Sequence, residues 1–494
     1  MYDPDFETFA RRAGEGNLIP VCREILADTE TPVTALMKLA DRPHLFLLES
    51  VEGGEKWGRY SFLGADPRLI FRVRSEEVII EEGGTIRRMP HGGDPLGLLK
   101  GLLDRCRPVP LEGLPRFFGG AVGFLGYGMV RYFERLPDGR GDAPTDDEAV
   151  FLVTDTLIIF DNVRHTIKVV ACAMIDEGMD LKEIYAGALR RIDEMVALLR
   201  APRTDHAPAA GSKAPLPFQA NMPPATFRAM VEKAKAYIAQ GDIIQVVLSQ
   251  RFQRETTADP VDLYRALRYV NPSPYLFFLR TYGTCLIGSS PEVMVRLDQG
   301  IAELKPIAGT RRRGANEQED RRLADELLQD PKERAEHVML VDLGRNDLGR
   351  IARIGSVQVN QLMAVERYSH VMHLVSDIQA QLADGKDAFE VLKATFPAGT
   401  LSGAPKVRAM EIIAELEPSR RGPYGGAVGY FGYGGNMDFC ITIRTLLIRD
   451  SQVFLQAGAG IVADSDPEAE YQETLRKAEG MVQAVRLAEN GFEI

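Results

Sequence analysis

Two stretches of this chain place carboxylates three residues apart, each just after a strong helix start. DPKERAEHVMLVDLGRND (330–347) carries Glu333 and Glu336, and DPEAEYQETLRKAEGMVQAVRLAE (466–489) carries Glu470 and Glu473. In both, an Asp-Pro pair supplies an N-cap and a first helical residue whose N–H would have no partner anyway. Residues three apart share a helical face. Such a pair is usually a solvated face. Two pairs turned toward each other would instead surround one hard cation with oxygen. That donor set suits Mg²⁺, which keeps waters and takes one or two protein carboxylates plus an anionic substrate. A di-iron centre would want Glu-x-x-His pairs on a four-helix bundle. Here His337 directly follows Glu336 and points elsewhere.

Anion chemistry is the second theme. LKPIAGTRRRG (304–314) sets one lysine and three arginines beside two glycines, in a chain of net charge −11. That balance argues against nucleic-acid binding. It leaves a solvated basic turn or a pocket for a small anion. The glycine loops AGAGIV (457–462) and PAGTLSGAPKVRAM (397–410), the second running into Lys406 and Arg408, could aim N–H groups at an anion. Neither matches a P-loop or a dinucleotide fingerprint, and each alone reads more simply as a tight turn. RYSHVMHLVSDI holds His370 and His373, either of which could serve as acid, base or donor. As a metal signal, H-x-x-H without further ligands is weak. No G-x-S-x-G elbow occurs and no cysteine sits in a nucleophile setting, so amide hydrolysis is not expected of this chain.

These segments need a scaffold. At 494 residues and 45% hydrophobic content, the chain has material for two or three domains or two large lobes. A Pro/Ala-rich stretch, 201–223, reads as a linker or surface excursion between an N-terminal lobe, 1–200, and a second lobe, 224–494. Strand-like runs fill 44–50, 69–89 and 149–174, with hairpin punctuation at Gly83-Gly84 and Asp161-Asn162. Segments 181–200 and 224–242 have helical spacing. Segments 243–255, 275–290, 294–307, 427–449 and 452–460 are strand-like again. Strands joined by short turns predict an α+β fold: two lobes of antiparallel sheets packed with helices in a layered sandwich. GGAVGFLGYG (119–128) recurs as GGAVGYFGYG (425–434), which predicts matching strands in the two lobes. The five scattered cysteines, the N-terminus without an apolar signal core and the lack of a bilayer-length apolar run predict a cytoplasmic protein that does not enter a membrane.

Taken together, ten segments resemble the chorismate-utilising enzymes, and within them the family of anthranilate synthase component I, the large chorismate-binding subunit. They are LLES (47–50), GDIIQVVLSQRF (241–252), NPSPY (271–275), SPE (290–292), PIAGTRRRG (306–314), ERAEHVMLVDLGRND (333–347), FPAGTLSGAPKVRAM (396–410), YGGAVGY (424–430), CITIRT (440–445) and QAGAGIVADSDPEAEYQET (456–474). The match extends from about residue 40 to 480.

The resemblance implies a Mg²⁺ site at Glu336 and Glu473, assisted by Glu333 and Glu470. It implies a chorismate cradle of Gly309, Thr310, Tyr424, Arg444 and the Gly458–Ala459–Gly460 loop, with Lys406 beside it. Arg444 suits bidentate pairing with a carboxylate. Glu292 would be the acid for the leaving hydroxyl, with Gln245, His373 and Thr400 near the reacting centre. Related aminodeoxychorismate synthases typically carry a nucleophilic lysine where this chain has Ala308. Isochorismate and salicylate synthases usually carry a water-activating lysine where it has Gln245. Both departures imply ammonia as nucleophile and anthranilate with pyruvate as products. The ammonia would come from glutamine through a separate amidotransferase subunit. LLES and NPSPY resemble the family's tryptophan feedback site, implicating Ser50, Pro274, Tyr275 and Leu276. An aminodeoxychorismate synthase, or a catalytically silent tryptophan-sensing subunit, are the competing readings.

Overall fold

The computed structural model describes residues 1–50, 58–137, 141–176, 178–202, 217–368 and 371–493. Their strands form two antiparallel sheets, of 13 and 12 strands, packed with helices. This is the expected α+β sandwich. Both sheets run without a break from one half of the chain into the other. In the first, the N-terminal strand Leu45–Glu49 pairs with Tyr275–Thr281, and Leu276 stands opposite Glu49. In the second, Gly120–Leu125 pairs with Ala427–Gly432, and Gly123 stands opposite Gly429.

The second seam is the repeated decapeptide: its two copies are direct partners. The glycines explain how they fit. A Cβ on Gly123 would sit 1.9 Å from the Val150 carbonyl oxygen, and one on Gly429 would sit 2.0 Å from that of Asp438. Only glycine tolerates so close a backbone approach.

The largest apolar cluster draws Phe71, Phe151, Phe277, Phe431 and Phe439 from both sheets. Burying one such ring is worth roughly 1.5–3 kcal/mol. Helices Leu181–Arg200, Pro260–Val270 and Pro467–Glu489 cover another face of the first sheet. The first of these buries Ala188, Ile192, Val196 and Leu199, a stripe at near-helical spacing.

Segment 149–174 forms three strands: Ala149–Thr154 and Thr156–Asp161 flank Asp155, where the chain passes from the second sheet to the first. Both strands are buried on both faces, so no alternation marks the crossing. The Gly83-Gly84 hairpin forms as expected, both residues with positive φ. Within the linker, 203–216 lies outside the described residues, as does His370. The five cysteines are free and buried. Among the described residues no helix is long and apolar enough to cross a membrane.

Candidate active site

The first turns of helices Pro331–Gly349 and Pro467–Glu489 open onto one cleft of about 1010 Å³. Asp330 caps the first helix by accepting from the backbone N–H groups of Lys332 and Glu333, and Asp466 caps the second through that of Ala469. Glu333, Glu336, Glu470 and Glu473 all line the cleft. Burial pushes the Glu336 carboxyl up from its ordinary value, and the neighbouring Glu333 charge adds to this. Burial raises Glu470 likewise, with Glu473 adding. Gln245 Nε2 donates to Glu336 Oε1 at 3.3 Å. Arg311 meets Glu333 at 3.1 Å, and Lys477 meets Glu473 at 2.6 Å.

Oxygen-only donors, two of them desolvated and repelled by a neighbouring carboxylate, fit a hard divalent cation such as Mg²⁺. Among the described residues no three acidic, imidazole or thiol groups gather tightly enough to hold a metal by themselves.

Glu292 follows the strand Thr284–Ser290 and is 9% exposed. Thr400 Oγ1 donates to its Oε1 at 2.9 Å. Burial pushes the Glu292 carboxyl up to about 8, against the smaller opposing effect of Thr400. A carboxyl there keeps its proton at neutral pH, as a general acid must. His373 Nδ1 lies 2.9 Å from the Gly309 carbonyl and 3.1 Å from Thr310 Oγ1. A carbonyl can only accept, so Nδ1 carries the hydrogen and Nε2 is left basic. Burial lowers the ring's pKa and keeps it neutral.

The anion side is built from Arg444 and glycines. Burial depresses the Arg444 guanidinium, with Tyr424 partly offsetting. Among the described residues no carboxylate pairs with it in an ion pair. A substrate carboxylate would restore what burial removes. Its backbone sits at φ 50°, an uncommon value for a non-glycine residue. A Cβ on Gly460 would stand 2.7 Å from Gln245 Nε2, and one on Gly458 would stand 2.8 Å from the Tyr424 hydroxyl. Gly309, at φ +65°, would crowd Leu327 and Glu333.

A sequence profile of chorismate binding enzymes matches residues 51–483. Anthranilate synthase component 1 of Aquifex aeolicus is 48% identical to the chain over 479 residues, which is 97% of this chain and 96% of the relative. This chain belongs to the chorismate-binding enzymes, in the anthranilate synthase component 1 family. The namesake protein of Acetivibrio thermocellus is 45% identical, with 99% of each chain covered. The crystal structure of anthranilate synthase component I from Streptococcus pneumoniae superposes with a TM-score of 0.77 at 37% identity, covering 92% of this chain and 98% of that one. A menaquinone-specific isochorismate synthase from Escherichia coli, 19% identical, shares the fold at a TM-score of 0.70 over 97% of this chain and 98% of its own.

Most residues singled out from the sequence of this chorismate-binding enzyme meet in the cleft. Gln245, Ala308, Gly309, Thr310, Glu292, His373, Thr400, Tyr424, Arg444, Gly458 and Gly460 all line it alongside the four glutamates. Two do not. Lys406 is turned away, its Nζ bound to Asp347 Oδ2 at 2.7 Å. Ala459, between two lining glycines, is fully buried in an apolar cluster, because successive residues of a strand face opposite ways. Its backbone pairs with Leu248.

The arginine run answers to its own neighbours. Arg311 binds Asp330 and Glu333, Arg313 binds Asp320, and Arg312 is largely exposed. Pro274 reaches the cleft, whereas Tyr275 is half-buried with its hydroxyl donating to Asp438 at 2.9 Å. Leu276 opposes Glu49, the neighbour of Ser50. Lys477 escaped sequence reasoning. It lines the cleft and donates to the Gly458 carbonyl at 3.0 Å. Its position four residues after Glu473 on one helix was the available signal.

Proposed function

We propose that this enzyme converts chorismate and ammonia to anthranilate and pyruvate, with Mg²⁺ bound and tryptophan as feedback inhibitor. The ammonia would be released from glutamine by a separate amidotransferase subunit. The observation that carries the reading is the company Glu292 keeps. A buried carboxyl whose pKa burial raises shares its cleft with Ala308 and Gln245, and neither position offers a lysine to attack the ring or activate water.

In this reading Arg444 and the Gly309–Thr310 turn hold the substrate's carboxylates. Glu336 and Glu473, assisted by Glu333 and Glu470, would hold Mg²⁺, and the bound ion would supply positive charge beside the ring carboxylate. Glu292 gives its proton to the departing C4 hydroxyl while ammonia adds at ring C2. The free Nε2 of neutral His373 is suited to accept a proton as pyruvate leaves and the ring becomes aromatic.

The test is product fluorescence when purified chain meets chorismate, Mg²⁺ and ammonium at mildly alkaline pH. Anthranilate formed without any partner supports the reading. Accumulation of an amino-chorismate would move the assignment to aminodeoxychorismate synthase. An inactive chain that stays inactive with its amidotransferase would be a silent sensor.

A further inference from the structure

Glu292 and Thr400 face two spaces. Besides the main cleft they line a second cavity of about 50 Å³, and with Leu340 they form the wall between the two. A single water needs only about 10–15 Å³ and two or more polar partners. Among mostly apolar walls the small cavity offers Glu292, Thr400, Lys305 and Asp347, polar partners enough for a water. Asp347 lies in the last turn of helix Pro331–Gly349 and is bound to Lys406 at 2.7 Å. Lys406 also donates to the Thr395 carbonyl at 3.3 Å. Each partner of the pair keeps 13% of its side chain exposed. Asp347 lines the small cavity, Lys406 does not, both keep a little exposure, and neither lines the main cleft.

An acid walled in at the bottom of an occupied cleft must be reloaded in every turnover. Substrate and product block the front, and the small cavity lies behind. Resting on the reading of Glu292 as the acid, we propose that Asp347, held in place by Lys406, returns a proton to Glu292 through water in this cavity. The balance is simple. Glu292 gives its proton to the departing hydroxyl, the C–O bond breaks, and water forms. A proton from solvent binds an Asp347 oxygen, passes by a cavity water to the Glu292 carboxylate, and leaves Asp347 ionised beside Lys406. The proton that ammonia sheds on becoming a ring amine repays solvent, and no electrons are exchanged. Burial raises the Asp347 carboxyl, against the pull of Lys406, which suits a group that carries a proton briefly. Asp347 is in this view a positioning and relay residue, not one that touches substrate.

The experiment is steady-state kinetics of Asp347→Asn with ammonium as nitrogen source, at constant pH and ionic strength, while imidazole is raised stepwise. The expected result is a kcat lower by roughly ten- to a hundredfold, an unchanged KM for chorismate, and recovery of kcat as imidazole substitutes for the missing acid. Wild type should not respond to imidazole. An unchanged kcat, or a loss that imidazole does not relieve in a chain with wild-type thermal stability, overturns the relay. Should Asp347→Asn not fold, Asp347→Ser is read the same way. Glu292→Gln separates the two levels: if it is active, the acid assignment itself is wrong, and if it is inactive while Asp347→Asn is normal, only the relay is wrong.

Discussion

Tyr275 stands opposite Ser290 in the antiparallel pair of strands Tyr275–Thr281 and Thr284–Ser290, two residues before Glu292. The link is reinforced around Ser289, whose hydroxyl donates to the Asn271 carbonyl and whose backbone N–H donates to that of Arg444 at 3.1 Å. The NPSPY segment is therefore tied to the strand that leads to Glu292 and, through Ser289, to the backbone of Arg444.

That wiring gives the first prediction. If tryptophan binds near Ser50 and Pro274–Leu276, its coupling to the cleft passes through Ser289. Ser50→Phe should abolish inhibition by tryptophan. Ser289→Ala should retain tryptophan binding by calorimetry while weakening inhibition of product formation. Wild-type sensitivity in both variants would reject the regulatory assignment.

The second concerns pH. Glu292 has a folded value of about 8 against an ordinary 4.5, so the folded chain holds this proton more tightly than the unfolded one. Its contribution is present in full below about 4.5 and is lost as pH rises through about 8. As an acid it also works only while protonated, so kcat should fall on the alkaline side of about 8. Thr400→Val removes the hydrogen bond that favours ionisation and should move that limb to higher pH. A limb that stays put in Thr400→Val would assign it to another group.

Stability of the cleft floor rests on Arg421 and Glu417, 1% and 5% exposed and paired at 2.7 Å. Arg421 also donates to the carbonyls of Leu401 and Val247, and Glu417 accepts from the N–H and hydroxyl of Ser249. Arg421→Met strands a buried carboxylate and should cost about 3–5 kcal/mol in denaturant unfolding. A loss below about 1 kcal/mol would mean that water replaces the guanidinium.

Gly460→Ala should act on function more than on folding. The new methyl must displace the Gln245 amide, 2.7 Å away, and with it the contact to Glu336. Chorismate turnover should fall at least about tenfold with a loss of about 1–3 kcal/mol in stability. Equal kinetics in variant and wild type would show that Gln245 has no part in the site.

Ala308→Lys tests the choice of nucleophile. Its strand, Ile307–Arg312, already faces the cleft, so an amine there would compete with ammonia for the ring. Ammonia-dependent anthranilate should drop by about tenfold or more, and mass spectrometry should detect a protein–substrate adduct. Undiminished anthranilate would make Ala308 a packing residue only.

What the sequence discloses is mostly local. Asp-Pro starts and the three-residue spacing placed all four glutamates correctly on their helices. Distant pairings stayed hidden. A lysine after a glycine loop reads as an anion donor, yet Lys406 is claimed by Asp347, 59 residues earlier. The crossing at Asp155 is silent because strands buried on both faces carry no alternation. Helix Glu317–Gln329 and strand Val371–Gln381 were likewise missed, although Asn316 caps the helix. Arg444 and Tyr424 gained meaning only from the family resemblance, since nothing in their spacing marks a site.

The interleaving of both sheets has a consequence for how the protein is made. On the ribosome, Gly120–Leu125 emerges roughly 300 residues before its partner Ala427–Gly432, an interval of about 15–60 s at ordinary elongation rates. Leu45–Glu49 waits as well for Tyr275–Thr281. Through that interval the nascent chain carries open strand edges that only its own second half can close. A prematurely terminated product would present those edges to proteases and chaperones and could not assemble a working cleft. The cell would see such fragments as waste to be cleared, never as an unregulated enzyme.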